Sequence, residues 1–225
     1  MERELLPGGG LNQVYRVGDS VHRPVAVWTP RVHELLRHLA PLGFVPRVHG
    51  FADGHEVLSF VEGEVGHPPL AEHLRGEDTL VAAARLLRRM HDASVPLVDR
   101  DGWQFERREP AEVICHGDFA SYNVVFAEGM PVGVIDFDTA HPGPRWWDIG
   151  WAVISFALEW ERPDRAELFC DAYGFPKDQL KDAVLARLDD MLRLIRQHPA
   201  FHRQRAERHD EHYLRLVDYT KANLA

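Results

Sequence analysis

Three side chains that can bind a metal or move a proton, Asp118, Asn123 and Asp136, fall within nineteen residues of one another at the ends of short apolar runs. They lie in Ile114-Cys-His-Gly-Asp-Phe-Ala-Ser-Tyr-Asn-Val-Val-Phe126 and Val134-Ile-Asp-Phe-Asp-Thr-Ala140. Asn123 and Asp136 offer hard oxygen ligands on adjacent strand ends. That donor set suits Mg²⁺, which keeps several waters and borrows phosphate oxygens. Asp118 is not needed for such a metal, so its carboxylate is free to orient a substrate hydroxyl and accept its proton. Phosphoryl transfer asks for little more than this, since it is mostly positioning and charge neutralisation. Read blandly, the same acids would be turn formers and helix caps. The ordered set, with apolar flanks at each strand, favours the chemistry.

The elements that must position these groups can be read from pattern. Gln13 to Val17 and Ser20 to Ala26, joined at Gly18-Asp19, predict a hairpin. Thr29 as N-cap and Pro30 at the first helical position open a helix on which Val32, Leu35, Leu36 and Leu39 recur at helical spacing. Pro46 to Phe51 and Glu56 to Val61 predict two more strands around Asp53-Gly54. From Asp78 the pattern turns helical, with Leu80, Ala83, Ala84, Leu87 and Met90 on one stripe. Short strands follow at Val113–Cys115, Asn123–Phe126 and Val132–Ile135, and helices continue after Pro144. Upstream, Gly9 and Gly10 sit in a Gly-rich turn between strands, where backbone N–H groups could approach phosphates.

Composition excludes several classes. The chain has 225 residues, 45% hydrophobic and 27% charged, the balance of a soluble globular protein. A net charge of −9 leaves no basic surplus for nucleic acid. Its longest apolar run, Trp146 to Leu158, is interrupted by Asp148 and too short to span a bilayer. The charged N-terminus does not resemble a secretory signal, and Cys115 and Cys170 lack paired spacing, so a cytoplasmic location is expected.

His116-Gly117-Asp118, with Asn123 five residues after the Asp, resembles the catalytic loop of the aminoglycoside phosphotransferase family. That family is kinase-like and is also similar to choline, homoserine and fructosamine kinases. Ile135-Asp136-Phe137-Asp138 resembles its metal-binding segment, and Gly143-Pro144-Arg145 with Asp148 continues the pattern. The resemblance implies an α+β, protein-kinase-like two-lobed fold, with a small β-rich N-lobe at 1–62 and a mainly helical C-lobe at 63–225. It implies Asp118 as catalytic base, and Asn123 and Asp136 as metal ligands. Asp148 would brace the catalytic loop and Asp138 would stand near metal or substrate. Arg23 occupies the place of the family's phosphate-clamping Lys or Arg, with Glu34 on the following helix to hold it. Leu58 to Gly63 resembles the interlobe hinge, where the backbone of Ser59 and Val61 would bond adenine. Ser121 would either approach the γ-phosphate or complete the loop's turn, the latter being favoured.

The implied cofactors are ATP or GTP and Mg²⁺, and the implied partner is a small-molecule hydroxyl acceptor of the aminoglycoside-like antibiotic kind. The alternative is a nucleotide-binding or interaction module with a catalytically degenerate kinase fold. Arg in place of Lys at the clamp, and a short acceptor region, motivate that alternative. Elsewhere, His198, His202, His209 and His212 are expected on a solvated helical face rather than around zinc. Trp146, Trp147 and Trp151 follow helical spacing and are expected in the core beneath the catalytic loop.

Overall fold

Strand-forming residues dominate the first sixty positions, and in the computed structural model they form one antiparallel sheet. The structure describes residues 3–6, 13–197 and 201–224. The sheet contains β1 (Glu4–Leu5), β2 (Tyr15–Val17), β3 (Ser20–Pro24), β4 (Val48–Ala52) and β5 (His55–Ser59), in the order β1-β2-β3-β5-β4. Gly18 and Asp19 turn the β2–β3 hairpin as expected. Helix α1 (Thr29–Leu39) lies between β3 and β4 and buries Val32, His33, Leu35, Leu36 and Leu39. Its start differs in detail from expectation. Thr29 lies inside the first turn, and its hydroxyl accepts the Ala26 amide at 2.9 Å.

The β3–β5 register sets Arg23 directly opposite Glu56. Facing residues on antiparallel strands have Cβ atoms only about 5 Å apart, so these two side chains meet with no help from a helix.

Beyond Ser59 the chain joins a second set of elements. Strand β6 (Glu64–Val65) pairs with β8 (Val124–Ala127), which pairs with β9 (Met130–Val134). A separate ribbon pairs β7 (Val113–Cys115) with β10 (His141–Gly143). Around them pack α2 (Glu77–Ser94), α3 (Arg145–Phe156), α4 (Pro163–Tyr173), α5 (Leu180–Gln197), α6 (His202–Ala206) and α7 (His209–Asn223). Helix α3 is apolar nearly all round and is buried from Trp147 to Phe156, so it forms the centre of this lobe. No helix among the described residues is long and apolar enough to cross a membrane.

Helices α3 and α5 touch at Gly150. A Cβ there would lie 2.7 Å from the Ala183 carbonyl oxygen and 3.0 Å from Cγ of Arg187. Only a glycine permits this approach. Gly150→Ala is therefore expected to destabilise the protein by about 1–3 kcal/mol through overpacking, read as a lower denaturant midpoint with an unchanged slope.

Candidate active site

The ribbon of β7 and β10 delivers His116, Gly117 and Asp118 to the interior edge of the helical lobe. Gly117 adopts φ +84°, and a Cβ would sit 2.3 Å from the Thr139 carbonyl oxygen, so both conformation and space demand glycine. Thr139 Oγ1 donates to the His116 carbonyl at 2.7 Å. The His116 ring lies within 2.9 Å (Nε2) of the Ile135 carbonyl and 3.3 Å (Nδ1) of the Asp118 amide. Nε2 is thus placed to donate to that carbonyl and Nδ1 to accept that amide.

Asp148, on the first turns of α3, holds this loop. Its carboxylate is fully buried. It accepts the amides of His116 at 2.6 Å and Gly117 at 2.8 Å, and contacts His91 Nε2 at 2.9 Å. Burial pushes this carboxyl up, but the hydrogen bond and charge of His91, aided by the loop, outweigh it and hold the group below its ordinary value. On the far side of His91, Nδ1 meets the Tyr173 hydroxyl at 2.7 Å, and that hydroxyl accepts from Arg145 at 3.1 Å. His91, Cys115 and Asp148 have ligand atoms within 4.8 Å of one another. Those Asp148 oxygens, however, already serve two amides and an imidazole.

A 3₁₀ turn, Ser121–Asn123, follows the loop. Asn123 Nδ2 donates to both the main-chain oxygen and Oδ2 of Asp118, each at 2.9 Å. Its amide oxygen is thereby left to serve as a ligand. Oδ1 of Asp118 accepts the Tyr122 hydroxyl at 2.6 Å and the Trp151 indole N–H at 2.7 Å. Burial nevertheless keeps the Asp118 carboxyl above its ordinary value, against the pull of these donors and of His116. Ser121 does not face an open cleft. Its hydroxyl is buried and donates to the Gly66 carbonyl at 2.8 Å, so it completes the turn and is removed from the phosphate-facing set.

Asp136 adopts φ 63°, ψ 65°, a left-handed conformation uncommon outside glycine and tolerated by Asp. Such backbone strain is concentrated at functional positions. Its side chain is 55% exposed and accepts Arg23 Nη1 at 3.0 Å, while Asp138 accepts Nη2 at 2.9 Å. Burial raises the Asp138 carboxyl in spite of Arg23.

The third partner of Arg23 corrects a sequence expectation. Glu34 does not reach it. Glu34 lies on the outer side of α1, pairs with Arg31, and lies 3.5 Å from Arg100. Arg23 Nε instead donates to Glu56 at 2.5 Å, across the strand pair. Helix α1 contributes His33, whose Nε2 lies 2.7 Å from the other Glu56 oxygen and whose ring stacks on Phe51. Glu56 was legible from register, because it faces Arg23 once the strands are aligned.

Ser59 donates its N–H to the Arg47 carbonyl at 2.8 Å and accepts the Arg47 amide at its hydroxyl. Its N–H is therefore already engaged. Among the described residues, no hydrogen bond takes up the backbone groups of Val61. Gly9 and Gly10 lie outside the described residues. Trp147 and Trp151 are buried as expected.

Arg187 was missed by sequence reasoning. It is buried, donates to the Gly117 carbonyl at 3.0 Å, and lies 3.9 Å over the Trp147 ring. Burial lowers its pKa against the charge of Asp190, Asp148 and Asp118. A lone Arg on an amphipathic helix carries no local signal of such a role.

Asp148 gives a pH-dependent prediction. A carboxyl held below the ordinary value of about 3.9 contributes its stability in full above about pH 4, and loses it as pH falls toward the folded value. Asp148→Asn should cost about 3 kcal/mol at pH 7. Denaturation curves should show the gap from wild type narrowing as the pH falls below about 4.

The chain matches the sequence profile of the phosphotransferase enzyme family over residues 2–112 and 101–188. It is 38% identical over 149 residues to a trifolitoxin immunity protein of Rhizobium leguminosarum bv. trifolii, covering 61% of this chain and 55% of that one. Over 86 residues it is 29% identical to an aminoglycoside 3'-phosphotransferase of Enterococcus faecalis, covering 38% and 33%. The matches thus span about half and a third of those two relatives. Among solved structures, ADP-bound aminoglycoside phosphotransferase APH(2'')-Ib superposes with a TM-score of 0.67 at 14% identity, over 98% of this chain and 94% of that one. This likeness shows the fold, which is α+β and protein-kinase-like. A His-Gly-Asp loop, an Asn and an Asp converging in that fold, together with a profile match over most of the sequence, carry the conclusion: the chain belongs to the phosphotransferase enzyme family.

Proposed function

We propose that the chain transfers the γ-phosphate of ATP or GTP, with Mg²⁺, to a hydroxyl of a small toxic or antibiotic compound. One observation carries this reading. Arg23, from the sheet, bonds to Asp136 and Asp138 of the helical lobe, in the same structure that brings Asn123 against Asp118. A phosphate clamp, two oxygen ligands and a base are in this reading assembled from three separate stretches of chain. In this reading, residues 1–62 form the nucleotide lobe and 63–225 the catalytic and acceptor lobe. The cytoplasm supplies the nucleotide.

The donor set fits a magnesium ion. Asn123 spends its N–H donors on Asp118 and keeps its oxygen, and Asp136 is exposed with one oxygen on Arg23. Bound there, the ion would neutralise phosphate charge. The protein's own part is positional. Asp118 orients the acceptor hydroxyl and takes its proton as the oxygen bonds to the γ-phosphorus. The bond to the β,γ-bridging oxygen breaks, and the nucleoside diphosphate leaves with that electron pair. Arg23, kept in place by Glu56, offers its guanidinium to the phosphates.

Two relatives favour the acceptor class. One is named for immunity to a toxin and the other for phosphorylating aminoglycosides. A second reading, a nucleotide-binding module without turnover, is favoured by the guanidinium that already pairs with Asp136 and Asp138.

Calorimetry with ATP and GTP, with and without Mg²⁺, separates these readings from failure. Magnesium-dependent binding that weakens at least tenfold in Asp136→Ala is expected; no binding at millimolar nucleotide overturns both. An aminoglycoside and toxin panel then tests turnover, where Asp118→Ala should lower kcat by about 10²–10⁴ and leave nucleotide affinity intact. Binding with no turnover on any acceptor favours the module. The clamp has its own test. Glu56→Gln should weaken nucleotide binding about tenfold, the loss expected for one charged hydrogen bond, whereas Glu34→Gln should leave it unchanged.

A further inference from the structure

A carboxylate has two oxygens and about four acceptor positions in its plane. In Asp118, three of these are taken. The Tyr122 hydroxyl at 2.6 Å and the Trp151 indole at 2.7 Å both converge on Oδ1, and Asn123 Nδ2 occupies one side of Oδ2 at 2.9 Å. One position remains, on Oδ2. We propose that Tyr122 and Trp151 are positioning residues for phosphoryl transfer, pinning Oδ1 so that the acceptor hydroxyl can be received only at the free side of Oδ2. The proposal rests on the reading of Asp118 as the base.

The donors are themselves held. Trp151 Nε1 also lies 3.3 Å from the Tyr122 oxygen, so the two groups share a hydrogen-bond cluster. The indole of Trp151 has Tyr213 of α7 on it, with ring centroids 6.2 Å apart and planes at 30°. The Arg187 guanidinium lies 5.0 Å from the same ring, and the same Arg187 donates to the Gly117 carbonyl beside Asp118. Rotation of the Asp118 carboxylate would therefore break two short hydrogen bonds at once, and neither donor can follow it. An unpinned carboxylate would divide its time between two faces, only one of which points a hydroxyl at the phosphorus. A misplacement of about 1 Å at a reacting group can cost about 10²-fold in rate.

If the two donors only satisfied a buried carboxylate, their loss would show in stability and not in turnover. Tyr122→Phe removes only the hydroxyl donor, Trp151→Phe removes the indole N–H together with part of the ring system, and folding of both is verified by thermal melting. Each variant of the full chain is expected to lower kcat at least tenfold on an acceptor found by the panel, with nucleotide Kd and acceptor KM within about twofold of wild type. Both variants at wild-type kcat would overturn the proposal. A readout independent of turnover is the indole ¹⁵N–¹H resonance of Trp151, assigned by its disappearance in Trp151→Phe. A carboxylate partner should place that resonance downfield, and Asp118→Ala should move it upfield. A resonance indifferent to Asp118→Ala would also overturn the proposal. Turnover surviving in Asp118→Ala would instead remove the base assignment itself, and the positioning claim with it. Loss in Asp118→Ala with none in the two Phe variants removes the positioning claim alone.

Discussion

A buried carboxylate is costly unless every one of its oxygens is answered, and Asp148 is answered by parts of the chain that are far apart in sequence. The amides of His116 and Gly117 come from the loop after β7, His91 comes from α2, and Asp148 itself from α3. Removing any one partner would leave charge uncompensated in a medium that cannot solvate it. The loop must therefore adopt the conformation that points two successive amides inward, which puts Gly117 at positive φ against Thr139. That same conformation aims the Asp118 side chain toward Asn123. The geometry of Asp118 is thus set by a second carboxylate, buried behind its loop.

The other side of the cleft is organised by a cation. Arg23 faces Glu56, Asp136 and Asp138, and it is only 12% exposed. Burial lowers its pKa, but Asp138, Glu56 and Asp136 raise it by more. The guanidinium fork can address carboxylates in several directions at once, which a single ammonium does less well. Here Glu56 meets it from the adjacent strand while two aspartates meet it from the helical lobe. One side chain thus ties the sheet to the loop that carries the ligands. His33 completes the arrangement from behind, so that α1 acts on Arg23 through Glu56 rather than directly.

Some of this could be read from the sequence and some could not, for physical reasons. The hairpin at Gly18-Asp19, the amphipathic stripe of α1 and the strands on either side of Asp118 were legible because their signals are local: turn chemistry, periodicity, apolar flanks. The set His116, Asp118, Asn123, Asp136 and Asp148 was legible because its residue types, in that order, resemble the family's catalytic loop and metal-binding segment. Glu34 misled because it has the expected residue type on the expected helix, yet helical phase turns it outward beside Arg31. Phase at a single position cannot be judged without knowing which arc of α1 packs down. For Ser121 the favoured turn reading holds, since its hydroxyl is spent on the backbone carbonyl of Gly66. Arg187 and the indole N–H of Trp151 left no trace, because their partners lie dozens of residues away. In sequence, Trp151 is one more apolar residue on a buried helix.

The surroundings of Asp118 are drawn from two different parts of the chain. Asn123 and Asp136 lie in the stretch that matches the family profile, which ends at residue 188. Tyr213, whose tilted ring lies against Trp151 and so steadies one donor to Asp118, lies beyond it on α7. Helix α7 is further attached through His212, 3.6 Å from Glu159 in the turn that follows α3. Asn123 and Asp136 thus come from the matched stretch, while the support of Trp151, the donor to Oδ1 of Asp118, is completed by a segment beyond it. Because one tryptophan touches both, changes in α7 can reach Asp118 without altering a single residue of the catalytic loop.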